Sequence, residues 1–341
     1  MNKVPTIKDV AKLSNTSPAT VSRALQQPHL VSKKAQMRIQ EAIKELNYQV
    51  NTAAQALRSR KSYTILVVVP NIKNPFFSKV FDGILKYAEQ QNYTVFIANT
   101  NGDKEQEYIY VNQLLHGRVD GIILLNGKIP PSLQEQLDLP TAPLVFACEY
   151  PYQNITQLPI VKTNNSRATE ELINLLIAQG HQKIGFLNGP PKNSLNIERY
   201  SGYKKSLKAA NIKINDQYYF EGDYESVSGV RAAQYFITLK DLPTAIFCAS
   251  DEMAIGLIYE LQVQGVKVPE DISVVGFDDI DFSSKILPAL TTIAQDAETI
   301  GYKATEVLFA RINAEKTETK WPLEIPYKII ERDSHKSILQ P

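Results

Sequence analysis

The sequence predicts an all-α helix-turn-helix headpiece followed by an α/β core of two lobes, each built on a doubly wound parallel sheet. Three observations predict it. Two short, well-capped helical segments with a tight turn between them occupy residues 6–25. The first 61 residues carry eleven Lys and Arg against three acids, and the remaining 280 carry 26 against 33, so a whole-chain net charge of +1 hides a basic segment of +8 and a mildly acidic body of −7. From Tyr63 onward, continuous apolar runs of strand length alternate with amphipathic helical stretches, and the alternation occurs twice.

Within the basic segment, Thr6 and Asp9 have capping-box spacing, and Ile7, Val10, Ala11 and Leu13 share the face behind them. Asn15 stands where the turn needs a left-handed residue, a conformation that Asn tolerates. Ser17 caps a second helix with Pro18 at its first position, where the missing N–H costs nothing. That helix buries Val21 and Leu25 and leaves Pro18, Ala19, Ser22 and Arg23 facing outward. Small residues at the leading end of a short helix, with one Arg behind them, can enter a DNA major groove. Two capped helices occur in any helical domain; the concentrated positive charge is what points to a phosphate backbone. Ser32 caps a third helix with Ala35, Ile39, Ala42, Ile43 and Leu46 as its apolar stripe, closing a three-helix bundle. Residues 51–58 are helical in composition but too few to form a stable helix alone in water.

The core opens with a strand at 64–69 and a helix at 77–90 that turns Val80, Ile84, Tyr87 and Ala88 inward. A strand at 94–98, a helix at 104–116 and strands at 120–125, 144–147 and 160–163 complete the first set. The second set has helices at 166–179, 196–210, 226–239 and 251–264 between strands at 183–187, 218–221, 245–249 and 272–277. Strand 291–295, helix 297–313 and strand 327–331 come last.

The run Thr6-Ile7-Lys8-Asp9-Val10-Ala11, followed by Ser17-Pro18-Ala19-Thr20-Val21-Ser22-Arg23-Ala24-Leu25, resembles the headpiece of the LacI/GalR family of bacterial transcription regulators. The resemblance runs on through Val31-Ser32 and Tyr48 to the end of the chain. In the body it is most similar to the cytidine repressor branch, at residues 64–70, 75–78, 242–248 and 268–273. The resemblance implies a headpiece at 1–50, a hinge helix at 51–61 and a periplasmic-binding-protein-like core. In that core, 62–162 with 291–320 form one lobe, and 163–290 with 321–341 form the other. It also implies DNA contacts by Thr6, Ser17, Pro18, Ala19, Ser22 and Arg23, and by Asn51, Ala54 and Leu57 of the hinge. Leu57 matches the family's apolar wedge, which unstacks base steps in the minor groove. The sequence departs from the family at Val50, Gln55 and Asn164, where Pro, Arg and Asp are frequent.

In open α/β sheets, ligands bind beyond the carboxyl ends of the strands. Those ends present Asn74, Pro75, Phe76 and Phe77, then Asn126, then Ser250 and Asp251, then Asp278 and Asp279. Tyr224 follows Gly222-Asp223, and Arg199 lies in a helix turn. Aromatic faces with carboxylates and an Arg suit a small polar ring compound, a nucleoside or a sugar. The family resemblance maps effector contacts onto Phe76, Phe77, Asn126, Arg199, Tyr224, Ser250 and Asp278, with Asn193 and Gln295 as weaker matches. Phe77 is equally readable as core packing. Asp251 is equally readable as a helix cap, and Asp279 and Asp281 as solvated turn residues.

Other classes find no support in the residues. There is no G-x-x-x-x-G-K-[ST] and no G-x-G-x-x-G after a strand, and His29, His116, His181 and His335 are scattered, so no enzyme or cofactor is expected. The acidic run at 278–281 lacks the Gly-centred twelve-residue loop of a calcium site, and no metal is expected. Cys148 and Cys248 lie in apolar runs and read as buried small hydrophobes. No stretch spans a membrane, and Met1-Asn2-Lys3-Val4-Pro5 is no signal peptide, which points to the cytoplasm. A secreted solute-binding protein would need the reverse. The expectation is a homodimeric repressor that binds double-stranded operator DNA under effector control, without the leucine heptads of a tetramer.

Overall fold

The computed structural model describes residues 5–49, 61–127, 129, 131, 136–137, 141–151, 158–315 and 320–339. Lys3 and the hinge positions Val50, Asn51, Ala54, Gln55 and Leu57 lie outside them. The chain divides into two compact units, Met1–Lys61 and Ser62–Pro341.

The first unit is a three-helix bundle of α1 (Ile7–Leu13), α2 (Pro18–Gln26) and α3 (Lys33–Glu45) around Val10, Ala11, Val21, Ile39 and Ala42. Its local signals act as the sequence predicts. Asp9 Oδ2 accepts from the Thr6 backbone N–H at 2.8 Å and from its hydroxyl at 2.7 Å. Asn15 has φ 49°, Ser17 Oγ accepts from the Thr20 N–H at 3.1 Å, and Ser32 caps α3. Two expected core residues are exposed instead, Leu13 and Leu25. Each stands at the end of its helix, and a neighbour takes the inward place: buried Ser14, whose hydroxyl donates to the Val10 carbonyl at 2.8 Å, and Ala24.

The second unit holds two six-stranded sheets. The first, in the order β11-β5-β4-β3-β1-β2, contains β1 (Thr64–Val69), β2 (Thr94–Asn99), β3 (Gly121–Leu124), β4 (Leu144–Ala147), β5 (Ile160–Thr163) and β11 (Leu323–Ile325), all paired in parallel. The second, in the order β12-β10-β9-β8-β6-β7, contains β6 (Ile184–Asn188), β7 (Tyr219–Glu221), β8 (Ala245–Cys248), β9 (Ser273–Asp278), β10 (Thr291–Gln295) and β12 (Tyr327–Ile330). Among the described residues only its β10–β12 pairing is antiparallel. In each sheet the winding reverses beside the first strand, between β1 and β3 and between β6 and β8. That switch point opens a crevice at the carboxyl ends. The helices are α4 (Phe76–Gln90), α5 (Lys104–Leu115), α6 (Asn165–Ala178), α7 (Ser194–Ala209), α8 (Ser226–Phe236), α9 (Asp251–Val263) and α10 (Ala297–Ile312). The central strands β1, β3, β4, β5, β6, β8 and β9 are buried along nearly their whole length, as continuous apolar runs require, whereas the edge strands are partly open: Phe96 and Ile97 of β2, Glu221 of β7, Glu324 of β11 and Lys328 of β12 are exposed.

The chain passes between the sheets three times: between β5 and α6, between β10 and α10, and between β11 and β12. The expected lobe boundaries need correction. Thr291–Gln295 pairs with β9 and so belongs to the second sheet, whereas α10 packs on α4 of the first. The segment 321–341 was expected wholly in the second lobe, yet β11 joins the first sheet beside β5. Pro326 cannot donate to a ladder, and the chain changes sheets there.

Helices α4 and α10 cross in near backbone contact. A Cβ on Gly83 would stand 2.0 Å from the Glu298 carbonyl oxygen, and one on Gly301 2.0 Å from that of Val80. Gly83→Ala must push the helices apart, and a loss of about 1–3 kcal/mol is expected in urea unfolding. An unchanged midpoint would show that the crossing tolerates a side chain.

Candidate functional site

In the first unit, α2 presents a polar outer face. Ser17, Pro18, Ala19 and Arg23 are exposed, Ser22 is half-buried, and Thr6 is exposed at the start of α1. The turn that presents this face is set locally by Asn15 and the Ser17 cap, and Val21 anchors the helix from beneath.

In the second unit, a cavity of about 290 Å³ lies between the lobes at the carboxyl ends of both sheets. The first lobe contributes Pro70, Asn71, Asn74, Phe76, Phe77, Asn101, Gly102, Leu125, Cys148 and Glu149. The second contributes Pro190, Asn193, Leu195, Arg199, Asp223, Tyr224, Asp278 and Gln295. Phe76 opens α4 and meets Phe77 edge-on at 5.5 Å; Phe77 also packs with Phe81, so it serves core and cavity together. Tyr224 donates from its hydroxyl to Asn196 Oδ1 at 2.5 Å, and its ring lies against Gly189, where a Cβ would meet Cζ at 2.5 Å.

Arg199 is buried and held on every side. Its Nε donates to Asn165 Oδ1 at 3.0 Å, Nη1 donates to the Ala249 carbonyl, and the guanidinium stacks 3.7 Å from the Phe277 ring centroid. Nη2 stands 3.9 Å from Asp278 Oδ1, which also accepts from Gln295 Nε2 at 2.7 Å. Burial pushes the Asp278 carboxyl up to about 8; Arg199 and Gln295 pull down, and the Asp251 carboxylate adds to the rise. At 3.9 Å the guanidinium offsets only part of the desolvation cost. Four non-glycine wall residues occupy the left-handed half of backbone space: Asn101 (φ 50°), Cys148 (φ 65°), Tyr224 (φ 71°) and Asp278 (φ 122°). Such strain costs about 1–3 kcal/mol per residue and gathers where function requires a particular side-chain placement.

Of the effector candidates, the cavity brings together Phe76, Phe77, Asn193, Arg199, Tyr224, Asp278 and Gln295. Two stand elsewhere. Ser250 caps α9, its hydroxyl accepting from the Met253 N–H at 3.3 Å. Asn126 is buried and donates to Glu107 Oε1 at 3.0 Å. Asp251 is neither cap nor wall. Its carboxylate lies beneath the site and accepts from the Ile280 N–H (3.0 Å) and the Ser283 (2.6 Å) and Thr292 (2.5 Å) hydroxyls, fixing the loop after β9. Asp279 and Asp281 are ion-paired with Arg332 (2.7 Å) and Lys79 (2.9 Å) rather than merely solvated. Asn164, at the family's frequent Asp, caps α6 and donates to Glu324 Oε2 at 3.1 Å. Both cysteines are free and buried. Burial pushes the Cys148 thiol up, away from nucleophilic chemistry, although it does line the cavity.

Sequence reasoning missed Asn71, Asn101, Cys148, Glu149 and Leu195. The strand-end rule could have found most of them: Asn71 follows β1, Asn101 follows β2, and Cys148 and Glu149 follow β4. Among the described residues no group of acidic, His or Cys side chains could hold a metal, and no helix is long and apolar enough to cross a membrane.

Comparison with known proteins agrees with this architecture. Residues 6–51 match the model of bacterial regulatory proteins, lacI family, and residues 173–335 match a periplasmic binding protein-like domain. The HTH-type transcriptional repressor CytR of Escherichia coli (strain K12) is 37% identical over 91% of this chain and 90% of its own length. The HTH-type transcriptional repressor PurR of Vibrio atlanticus (strain LGP32) is 35% identical over 98% of this chain and 99% of its own. The crystal structure of the lac repressor dimer bound to operator and the anti-inducer ONPF superposes with a TM-score of 0.85 at 28% identity, covering 97% of this chain and 99% of that one. The chain thus belongs to the lacI family of bacterial regulatory proteins, DNA-binding transcription regulators rather than enzymes.

Proposed function

We propose that this protein is a homodimeric repressor whose operator affinity is set by a nucleoside bound between its lobes. One observation carries the effector class: a single cavity joins the aromatic wall of Phe76 and Tyr224 to the polar group of Asp278, Arg199 and Gln295. A flat base stacks on aromatic rings, and a carboxylate accepts two ribose hydroxyls. The lining amides Asn71, Asn101 and Asn193 suit a base edge. Asn126 and Ser250 are left out of the contact set. The resemblance of the body to the cytidine repressor branch favours the same class. A free sugar is the second reading, favoured by the same carboxylate and amides at the hydroxyl end. Calorimetric titration with cytidine, adenosine, ribose and galactose decides between them. Binding of a sugar without any nucleoside binding would overturn the nucleoside reading and leave the regulator in place.

In this reading two copies set their α2 helices in successive major grooves of a pseudo-palindrome, and Leu57 wedges the minor groove between them. Each lobe carries apolar residues suited to a second copy: Phe96 at 57% exposure and Ile97 at 40% on edge strand β2, and Tyr259 at 62% and Leu287 at 85% on the second lobe. Effector binding biases the lobe angle and with it the hinge. Whether DNA is released or held depends on the lobe arrangement the effector prefers. Such a regulator works in the cytoplasm, where the DNA is.

Arg23 is the assigned base reader. Arg23→Ala is expected to relax sequence preference at a cost of about 1–3 kcal/mol, whereas Lys33→Ala weakens all DNA alike and flattens the salt dependence. Fluorescence anisotropy on matched and mismatched sites measures both. Unchanged preference in Arg23→Ala would remove α2 as the reader.

A further inference from the structure

The contacts that cross between the lobes differ sharply in kind. At the rim, Asn71 Nδ2 reaches Glu225 Oε1 at 3.4 Å, and Lys79 pairs with Asp281 at 2.9 Å with side chains 43% and 70% exposed. Pairs so exposed are screened and hold little. Deeper in, Lys162 at the end of β5 pairs with Glu198 of α7, the two side chains only 6% and 16% exposed. Glu198 Oε1 also accepts from the Tyr150 hydroxyl, and Lys162 Nζ lies 4.8 Å from the Tyr150 ring centroid. The Tyr150 backbone N–H donates to Ser194 Oγ, in the first turn of α7, at 3.2 Å. Lys162 and Tyr150 belong to the first lobe, Ser194 and Glu198 to the second.

We infer that Lys162, Tyr150, Ser194 and Glu198 form a buried latch that holds the lobes closed, and the cavity assembled, before any effector binds. None of the four lines the cavity, but their chain neighbours do: Glu149 beside Tyr150, and Leu195 and Arg199 beside Ser194 and Glu198. The latch therefore fixes one wall against the other, and its members are positioning residues. Its chemistry has two states. Closed, the ammonium and carboxylate are desolvated and depend on each other. Open, water replaces both partners, so little lies between. Glu198 Oε2, buried without a hydrogen-bond partner among the described residues, would regain hydration on opening, which keeps the closed state from being locked. An effector then meets a site already formed, and its apparent affinity is reduced only by the open fraction.

This inference rests on the cavity being the effector site only for its effect on affinity. The lobe arrangement can be tested without any ligand. Spin labels at exposed Glu105→Cys and Gln217→Cys report the distance between the lobes. The parent is expected to give one narrow distance distribution without effector. Lys162→Met, which strands the Glu198 carboxylate, should add a second, longer population, and cytidine affinity should fall roughly tenfold. The reversed pair, Lys162→Glu with Glu198→Lys, should return both to the parent values. Should Lys162→Met fail to fold, Glu198→Gln keeps the shape, loses only the charge, and gives the same measurement. A distribution identical to the parent's in the folded variant overturns the latch. A shifted distribution without any nucleoside binding keeps the latch and overturns the effector class alone.

Discussion

Arg199→Met is expected to abolish effector binding and to lower the free energy of unfolding by about 3–5 kcal/mol, the range for breaking a buried charged cluster from one side. The guanidinium has no solvent to fall back on, and its removal strips partners from several elements at once: Asn165 at the start of α6, the carbonyl of Ala249 after β8, the face of Phe277 in β9, and Asp278. Each buried acceptor left without its donor costs about 1–3 kcal/mol. Because Asp278 sits at about 8, it already holds its proton at neutral pH and leaves no bare charge behind when the guanidinium is removed, which limits the electrostatic part of the loss. The main cost is then the orphaned acceptors and the unsupported ring. Lysine cannot substitute, since one ammonium cannot serve Asn165, Ala249 and a ring face together. Urea unfolding and calorimetry on the same sample check both effects. Parental stability with retained binding would mean that Arg199 does not organise the site.

Asp278→Asn is expected to weaken effector binding by roughly ten- to a hundredfold, the worth of a hydrogen bond to a charged group, and to remove its pH dependence. Burial holds the carboxyl up to about 8. Hydroxyl donors from a ligand favour the ionised form, so binding releases a proton, and affinity should rise with pH up to about 8 by at most about tenfold per unit. Stability moves the other way. The folded state keeps its proton where an unfolded Asp, near 4, has lost it. The contribution of Asp278 to stability therefore falls as pH rises from about 4 to about 8 and is level above. The Asn variant lacks that fall, so its stability relative to the parent should improve over the same window. Calorimetry in buffers of different ionisation enthalpy measures the released proton. Equal pH profiles for parent and variant would assign the titration to another group.

Much of the fold was readable because its signals are local. Asn15, Ser17 and Ser32 act on the backbone within three residues of themselves, and the apolar runs of β1, β3 and β9 need no partner to be recognised. What escaped was non-local. Leu323-Glu324-Ile325, between Pro322 and Pro326, is too short to declare itself a strand, and only pairing with β5 makes it one. Leu25 has the spacing of a core residue, but at the end of α2 it stands exposed outside the cluster of Val10, Ala11, Val21, Ile39 and Ala42. The strand-end rule found the cavity without telling which side chains turn into it. Ser250 turned to its own helix, and Asp251 to partners 29 to 41 positions away. Cys148 was hidden by its apolar context, which gives no sign of the φ of 65° that places it at the wall.

A DNA-reading headpiece coupled to a nucleoside cavity in one chain is tested most directly by operator binding measured with and without effector. DNA selected from a random pool by the full-length protein would be labelled and titrated by fluorescence anisotropy, with and without saturating cytidine or adenosine. Pseudo-palindromic sequences are expected to be enriched, and the nucleoside should shift their affinity by about 1–3 kcal/mol, the usual size of coupling between two sites. Arg23→Ala should lose the sequence preference while still binding nucleoside, and Asp278→Asn should keep the preference while losing the shift. A nucleoside that binds the cavity yet leaves DNA affinity unchanged, or a selection that enriches no sequence, would contradict the account.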